Sequence, residues 1–185
     1  MEQVPLDEIR GILDKALTGK VLAKVFDGEG EMLYVGFGQH VLPREVREHH
    51  KKPGEFFFVA QEEPDYEVTT FFSHWQIEDR RGILLKSEDD WEVEMVAAVF
   101  LGRRVTNWLL HDDGGLDIEF DGVVTFAICP GREETKEGAV EEAWALDAYE
   151  DNEEVGSWGV TTFGEAYRYG PNESLQYGPD GQLPY

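Results

Sequence analysis

The chain has 185 residues, with 39 acidic side chains against 16 lysines and arginines and a formal charge of −23. That surplus argues against direct binding to nucleic acid or to an anionic membrane, both of which need cationic side chains to neutralise phosphates. Hydrophobic residues make up 41% and aromatics 12%, enough for a real core, so wholesale disorder is not expected. The single cysteine, Cys129, leaves no internal disulfide and no cysteine-based structural zinc site. The opening residues, MEQVPLDEIR, are acidic and polar rather than basic and then apolar, and no apolar stretch approaches the ~18–20 residues that span a bilayer. A soluble, cytoplasmic protein of one domain, or of two small fused halves, is the expectation.

Leu6, Ile9, Ile12, Leu13, Ala16 and Leu17 recur at helical spacing, with Pro5 in front and Gly19 behind, so the first element is read as a helix. Val21 to Phe26 follows as a strand. After a Gly/Glu-rich turn, Leu33, Val35 and Phe37 alternate as the second strand of a hairpin. Glu55–Gln61 and Tyr66–Phe72 are further strand candidates, and Trp75-Gln76-Ile77 ends this half.

The arrangement recurs. Adding 83 carries Gly19 to Gly102, Lys20 to Arg103, Val25 to Trp108, Leu33 to Leu116, Val35 to Ile118 and Phe37 to Phe120 without a gap. Trp91 to Leu101 alternates like a strand, yet its alignment with the first helix, and Ser87 with Asp90 as a capping pattern, favour a helix. Trp144-Ala145-Leu146 repeats the tryptophan strand. This is read as an internal duplication: an α+β fold of two similar helix-plus-antiparallel-β units packed as one compact domain. The first unit covers 1–85 and the second 86–155. The first has an insertion near 43–53, read as a short helical or loop excursion, and 156–185 forms a Gly/Tyr-rich strand and extended tail. The core is expected to hold Leu13, Leu17, Val35, Phe37, Trp75, Ile77, Val96, Phe100, Ile118, Phe120, Ile128, Trp144 and Leu146.

No catalytic motif is present: there is no G-x-S-x-G elbow, no Walker A loop and no dinucleotide fingerprint. His111-Asp112-Asp113-Gly114-Gly115 reads as a tight turn rather than a metal site, because glycine supplies positive φ and aspartate bonds its own backbone. His49 and His50, being adjacent, point apart on any regular element. His74 faces opposite Trp75, towards solvent or an edge. Cys129 has no basic neighbour in sequence to activate it and reads as a buried or edge structural residue. No D-x-D-x-D-G calcium loop occurs, so neither metal nor cofactor is expected.

The acidic surface has directional meaning. With Leu116, Ile118 and Phe120 inward, Asp117, Glu119 and Asp121 turn outward and join Asp112 and Asp113 in a carboxylate stripe. A second concentration includes Glu150, Asp151, Glu153 and Glu154. Such surfaces serve solubility or a partner.

The run Gly102-Arg103-Arg104-Val105, then Leu116-Asp117-Ile118-Glu119-Phe120-Asp121-Gly122-Val123-Val124 and Glu141-Glu142-Ala143-Trp144-Ala145-Leu146, resembles a pattern in small uncharacterised bacterial proteins similar to the immunity proteins of polymorphic toxin systems. The resemblance covers mainly 19–37 and 102–146, and carries over no functional residue. It implies a binder that occludes a basic partner such as a toxin or nuclease, with the acidic surface steering the encounter. The alternatives are a nucleic-acid mimic of the anti-restriction or anti-defence kind, and a small-molecule site between the two repeats.

Overall fold

The first apolar period closes as a helix in the computed structural model of the chain, which describes residues 1–27, 32–48, 56–60, 63–71, 73–89, 93–130, 142–151 and 153–169. Helix α1 (Leu6–Leu17) buries Ile9, Leu13, Ala16 and Leu17 completely. Asp7 and Glu8 in its first turn and Lys15 in its last oppose the helix dipole favourably. It ends before Gly19, whose φ of +71° is open to glycine at little cost. Helix α2 (Val93–Phe100) ends in the same way before Gly102, at φ +86°.

Every other regular element among the described residues is a strand. The strands are β1 (Glu2–Val4), β2 (Val21–Asp27), β3 (Leu33–Gly38), β4 (Arg44–Glu48), β5 (Phe56–Ala60), β6 (Tyr66–Thr70), β7 (Ser73–Asp79), β8 (Gly82–Lys86), β9 (Val105–Leu110), β10 (Leu116–Phe120), β11 (Val124–Pro130), β12 (Glu142–Glu150), β13 (Glu153–Thr161) and β14 (Ala166–Tyr169). They form a seven-stranded sheet in the order β1-β14-β13-β12-β6-β3-β2, a five-stranded sheet in the order β8-β7-β11-β10-β9, and the β4–β5 hairpin. All pairings are antiparallel.

This corrects the α+β expectation. Strands take up 57% of the described residues and helices 14%, and the two antiparallel sheets, rather than two helix-plus-sheet units, make the architecture. Turn glycines and period-2 alternation cut most of the chain into short strands and leave helices of 12 and 8 residues. Nor does either half close on itself. Strand β7 of the first half pairs with β11, and β12 of the second pairs with β6; α1 packs on β9 and α2 on β2.

Corresponding positions nevertheless pair alike. Val25 opposes Val35 as Trp108 opposes Ile118, and Phe37 opposes Tyr66 as Phe120 opposes Val124. At the junction Leu22 N donates to Arg103 O and Val105 N to Lys20 O, at 2.9 and 2.8 Å. Since 20 + 83 = 103 and 22 + 83 = 105, exchanging the halves exchanges these two bonds. The rings of Phe37 and Phe120, also 83 apart, stack 6.4 Å from each other between the sheets. All thirteen positions expected in the core are at most 1% exposed.

Further differences have local causes. Residues 44–48 of the insertion form β4, paired with β5, rather than a helix or loop; 49–53, with His49 and His50, lie outside the described residues. Ser87 does not cap α2, which begins six positions later, but bonds back to Trp75: its N–H donates to Trp75 O at 2.8 Å, and its hydroxyl accepts from Trp75 N at 3.4 Å. Beyond β13 the chain turns at Gly164 and returns as β14, so Ala166–Tyr169 is a strand where an extended tail was expected. Residues 170–185 lie outside the described residues. Cys129 is exposed on β11, a strand with neighbours on both sides. Burial and the nearby carboxylates of Asp117, Asp113 and Glu78 push its thiol pKa up, away from reactive thiolate character.

Candidate acidic interface

The β10 stripe forms as alternation requires. Leu116, Ile118 and Phe120 are at most 1% exposed, and the intervening carboxylates face away from the core. Most of those carboxylates, however, are engaged within the chain. Asp112 Oδ1 accepts from Arg10 at 3.0 Å, Asp113 Oδ1 from Gly115 N at 3.1 Å, and Asp117 lies 2.9 Å from His111 Nε2. Glu119 Oε1 accepts from the Thr106 hydroxyl at 3.1 Å. Asp121, at a φ of +52°, accepts from Arg103 and from Arg104 N, each at 3.2 Å. These are turn-shaping and strand-pairing roles, and of the five only Asp112 and Asp121 are paired with an arginine among the described residues.

The other concentration lies on the seven-stranded sheet, where β12 meets β13. Glu150, Asp151 and Glu153 are exposed, and none forms an ion pair with a described residue. Asp151 takes the left-handed conformation at the hairpin tip, φ +52°, which aspartate tolerates better than most residues. Glu154 is half-buried, with Oε1 shielded and without a hydrogen-bond partner. The nine sequence candidates therefore lie on two different sheets, and at the β12–β13 end Glu150, Asp151 and Glu153 have no ion-pair partner among the described residues.

The structure also brings together carboxylates that are not among the sequence candidates. On the face of the seven-stranded sheet away from the core, Asp147 of β12 stands opposite Glu67 of β6 and Ser157 of β13. Asp147 accepts a bond from the Ser157 hydroxyl, and burial raises its pKa to about 6, with Glu154 and Glu67 adding to the rise. Glu67 is 6% exposed and its pKa is likewise raised by burial, against the pull of Lys24. Lys24 Nζ lies 3.0 Å from carboxylate oxygens of both Glu67 and Glu63.

Next along the face is Glu142. Only Ala143 separates it from Trp144, yet Glu142 opposes Thr161 while Trp144 opposes Val160, a bulge that turns Glu142 away from the core. Its Oε1 lies where a side chain on Gly159 would begin, and it accepts from Tyr169 Oη at 2.8 Å. One signal in the sequence pointed here: Ala143 to Tyr149 is apolar at both parities around Asp147, as befits a central strand covered on both faces.

Lys24→Met would strand Glu67 without its cation. A loss on the order of 3 kcal/mol is expected at pH 8 by urea denaturation, because a buried charge without its partner is costly. The loss should be smaller at pH 5 than at pH 8, because burial without the lysine favours the neutral carboxyl of Glu67. An equal loss at both pH values would contradict the pairing.

Among the described residues no cluster of histidine, cysteine and carboxylates suits a metal ion, and no helix is long and apolar enough to cross a membrane. Comparison with family models, with curated proteins and with solved structures finds no match for the chain.

Proposed function

We propose that this chain is a cytoplasmic binding protein of the immunity or inhibitor kind, which occludes a basic protein partner with the acidic end of the β12–β13 hairpin. One observation carries the reading: in a chain of charge −23, Glu150, Asp151 and Glu153 project together without a described counterion, whereas Asp112 and Asp121 of the other stripe are paired with Arg10 and Arg103. Exposed carboxylates of one sign accelerate encounter with a cationic surface, and the gain declines with salt.

Affinity capture from native lysate at low salt, eluted in salt steps, tests it. A single basic protein leaving in a 1:1 ratio at high salt is expected. Several unrelated nucleic-acid enzymes would favour a nucleic-acid mimic instead. Nothing retained above background would leave the charge as a solubilising surface.

A small-molecule site is favoured by a different observation, the buried polar group of Glu67, Asp147 and Lys24. It lies on the outer sheet face rather than between the two halves. A rise in denaturation temperature with a cationic metabolite such as a polyamine, abolished by Asp147→Asn, would support that alternative.

A further inference from the structure

Glu142 combines three features that are seldom found together. It is 2% exposed, it bonds to Tyr169 through Oε1, and its Oε2 is buried with no hydrogen-bond partner. A carboxyl in that setting is tolerable when neutral. Once ionised it holds a bare charge in a dry site, which costs far more than an unpaired neutral group. The way to relieve that cost is for the side chain to reach water, and doing so breaks the bond to Tyr169.

Tyr169 is the last residue of β14, a four-residue strand held between β13 and the three-residue β1. We infer that the Glu142 carboxyl is a proton-held latch: seated over Gly159 and bonded by Tyr169, it fastens β14 to the seven-stranded sheet while protonated and releases it on ionisation.

The surrounding groups keep the proton on. Tyr169 of β14 and Asp147 of the same strand face Glu142. Asp147 in turn faces Glu154 of β13 and Glu67 of β6, and Glu67 faces Glu63 and Lys24 of β2. Lys24 is the one cation in this described group, and it pairs with Glu67 and Glu63 rather than with Glu142. Burial above all, with Asp147 adding and the Tyr169 bond opposing, pushes the pKa of Glu142 from 4.5 to about 8.

The sign follows from linkage. Between the ordinary value and the folded one, the folded chain holds a proton that the unfolded chain has lost. Stability therefore declines as pH rises through that interval, until the folded carboxyl ionises. Asp147, at about 6, has largely titrated by pH 7, and comparison with Glu142→Gln separates Glu142 from every other group that titrates between pH 7 and 9.

The test is heat denaturation from pH 6 to 9, with hydrogen exchange of the β14 amides corrected for intrinsic rate. For the unmodified chain the midpoint is expected to fall by roughly 3–5 °C between pH 7 and 9, with β14 protection falling alongside. Glu142→Gln stays neutral and should keep its pH 7 midpoint and its β14 protection up to pH 9. Should that variant not fold, Tyr169→Phe carries the test: it removes a bond that favours the ionised form, so the decline moves to higher pH. Parallel profiles for the unmodified chain and Glu142→Gln, an unmoved decline in Tyr169→Phe, or unchanged β14 protection would each overturn the latch.

Discussion

Trp144→Ala is expected to cost about 4 kcal/mol of stability, a larger loss than that of Lys24→Met. Trp144 is fully buried on β12 and fills the space between the sheets. Removing so large a side chain forfeits its transfer energy and leaves a cavity, typically ~3–5 kcal/mol together. Its indole Nε1 also donates to Gly114 O at 2.7 Å in a buried site. That bond ties β12 of the seven-stranded sheet to the β9–β10 turn of the five-stranded sheet. Trp144→Phe keeps much of the apolar volume but leaves the Gly114 carbonyl unanswered, so an intermediate loss of about 2 kcal/mol is expected. Urea denaturation of the two variants separates the contributions. Equal losses would assign the whole effect to the hydrogen bond, and a loss below about 1 kcal/mol in Trp144→Ala would contradict the described packing.

Gly164→Ala, or Gly114→Ala, should be nearly as damaging although each adds only one methyl group. Both glycines sit at positive φ, +78° and +86°. A Cβ on Gly164 would lie 2.8 Å from the backbone carbon and oxygen of Asp113; one on Gly114 would lie 2.7 Å from Val160 Cγ1 and 2.9 Å from Gly164 Cα. The two turns meet backbone to backbone at this corner, so neither can give way as a flexible side chain would. Left-handed strain of about 1–2 kcal/mol and overpacking of about 1–3 kcal/mol act together. A loss of roughly 3 kcal/mol is expected by urea denaturation, with no comparable loss in Gly11→Ala, whose added methyl meets nothing within 4 Å. Matching losses at Gly164 and Gly11 would mean that the turns are not in contact.

Much of the fold is legible in the sequence because it rests on local signals. The period of Leu6 to Leu17 and the glycine after it set α1, and the alternation Leu116-Asp117-Ile118-Glu119-Phe120 sets β10 with its inward and outward faces. Which strand pairs with which is a long-range matter. Trp75-Gln76-Ile77 and Trp144-Ala145-Leu146 are recognisable as strands, but nothing local indicates that each crosses to the other half's sheet. Counting helices and strands as self-contained units therefore leads to an α+β reading of a mainly β protein. The short strands β1 and β14 lie near the lower limit of strand length and, like β8, have weak alternation, so they emerge only once a neighbour supplies hydrogen bonds.

The candidate site is legible in composition but not in placement. Asp112, Asp117 and Asp121 do turn outward, yet Arg10, His111 and Arg103 come to them from other parts of the chain or from across a turn. In the sequence Glu142 and Asp147 count only as two more charges in an acidic stretch. Their burial follows from a bulge and from the cross-strand neighbours Glu67 and Ser157, neither of which leaves a mark on the linear sequence.

The measurement that tests the central claim most directly is paired capture from native lysate at low salt. The unmodified chain is run beside Glu150→Gln/Asp151→Asn/Glu153→Gln, with Asp112→Asn as a control. Asparagine at 151 keeps the hairpin tip, since it too accepts positive φ, so the triple variant changes charge rather than fold. One basic protein should be retained by the unmodified chain and by Asp112→Asn, and reduced at least about tenfold with the triple variant, the equivalent of ~1.4 kcal/mol. Retention of the same protein by all three, or of none by the unmodified chain, would contradict the assignment of binding to the β12–β13 end.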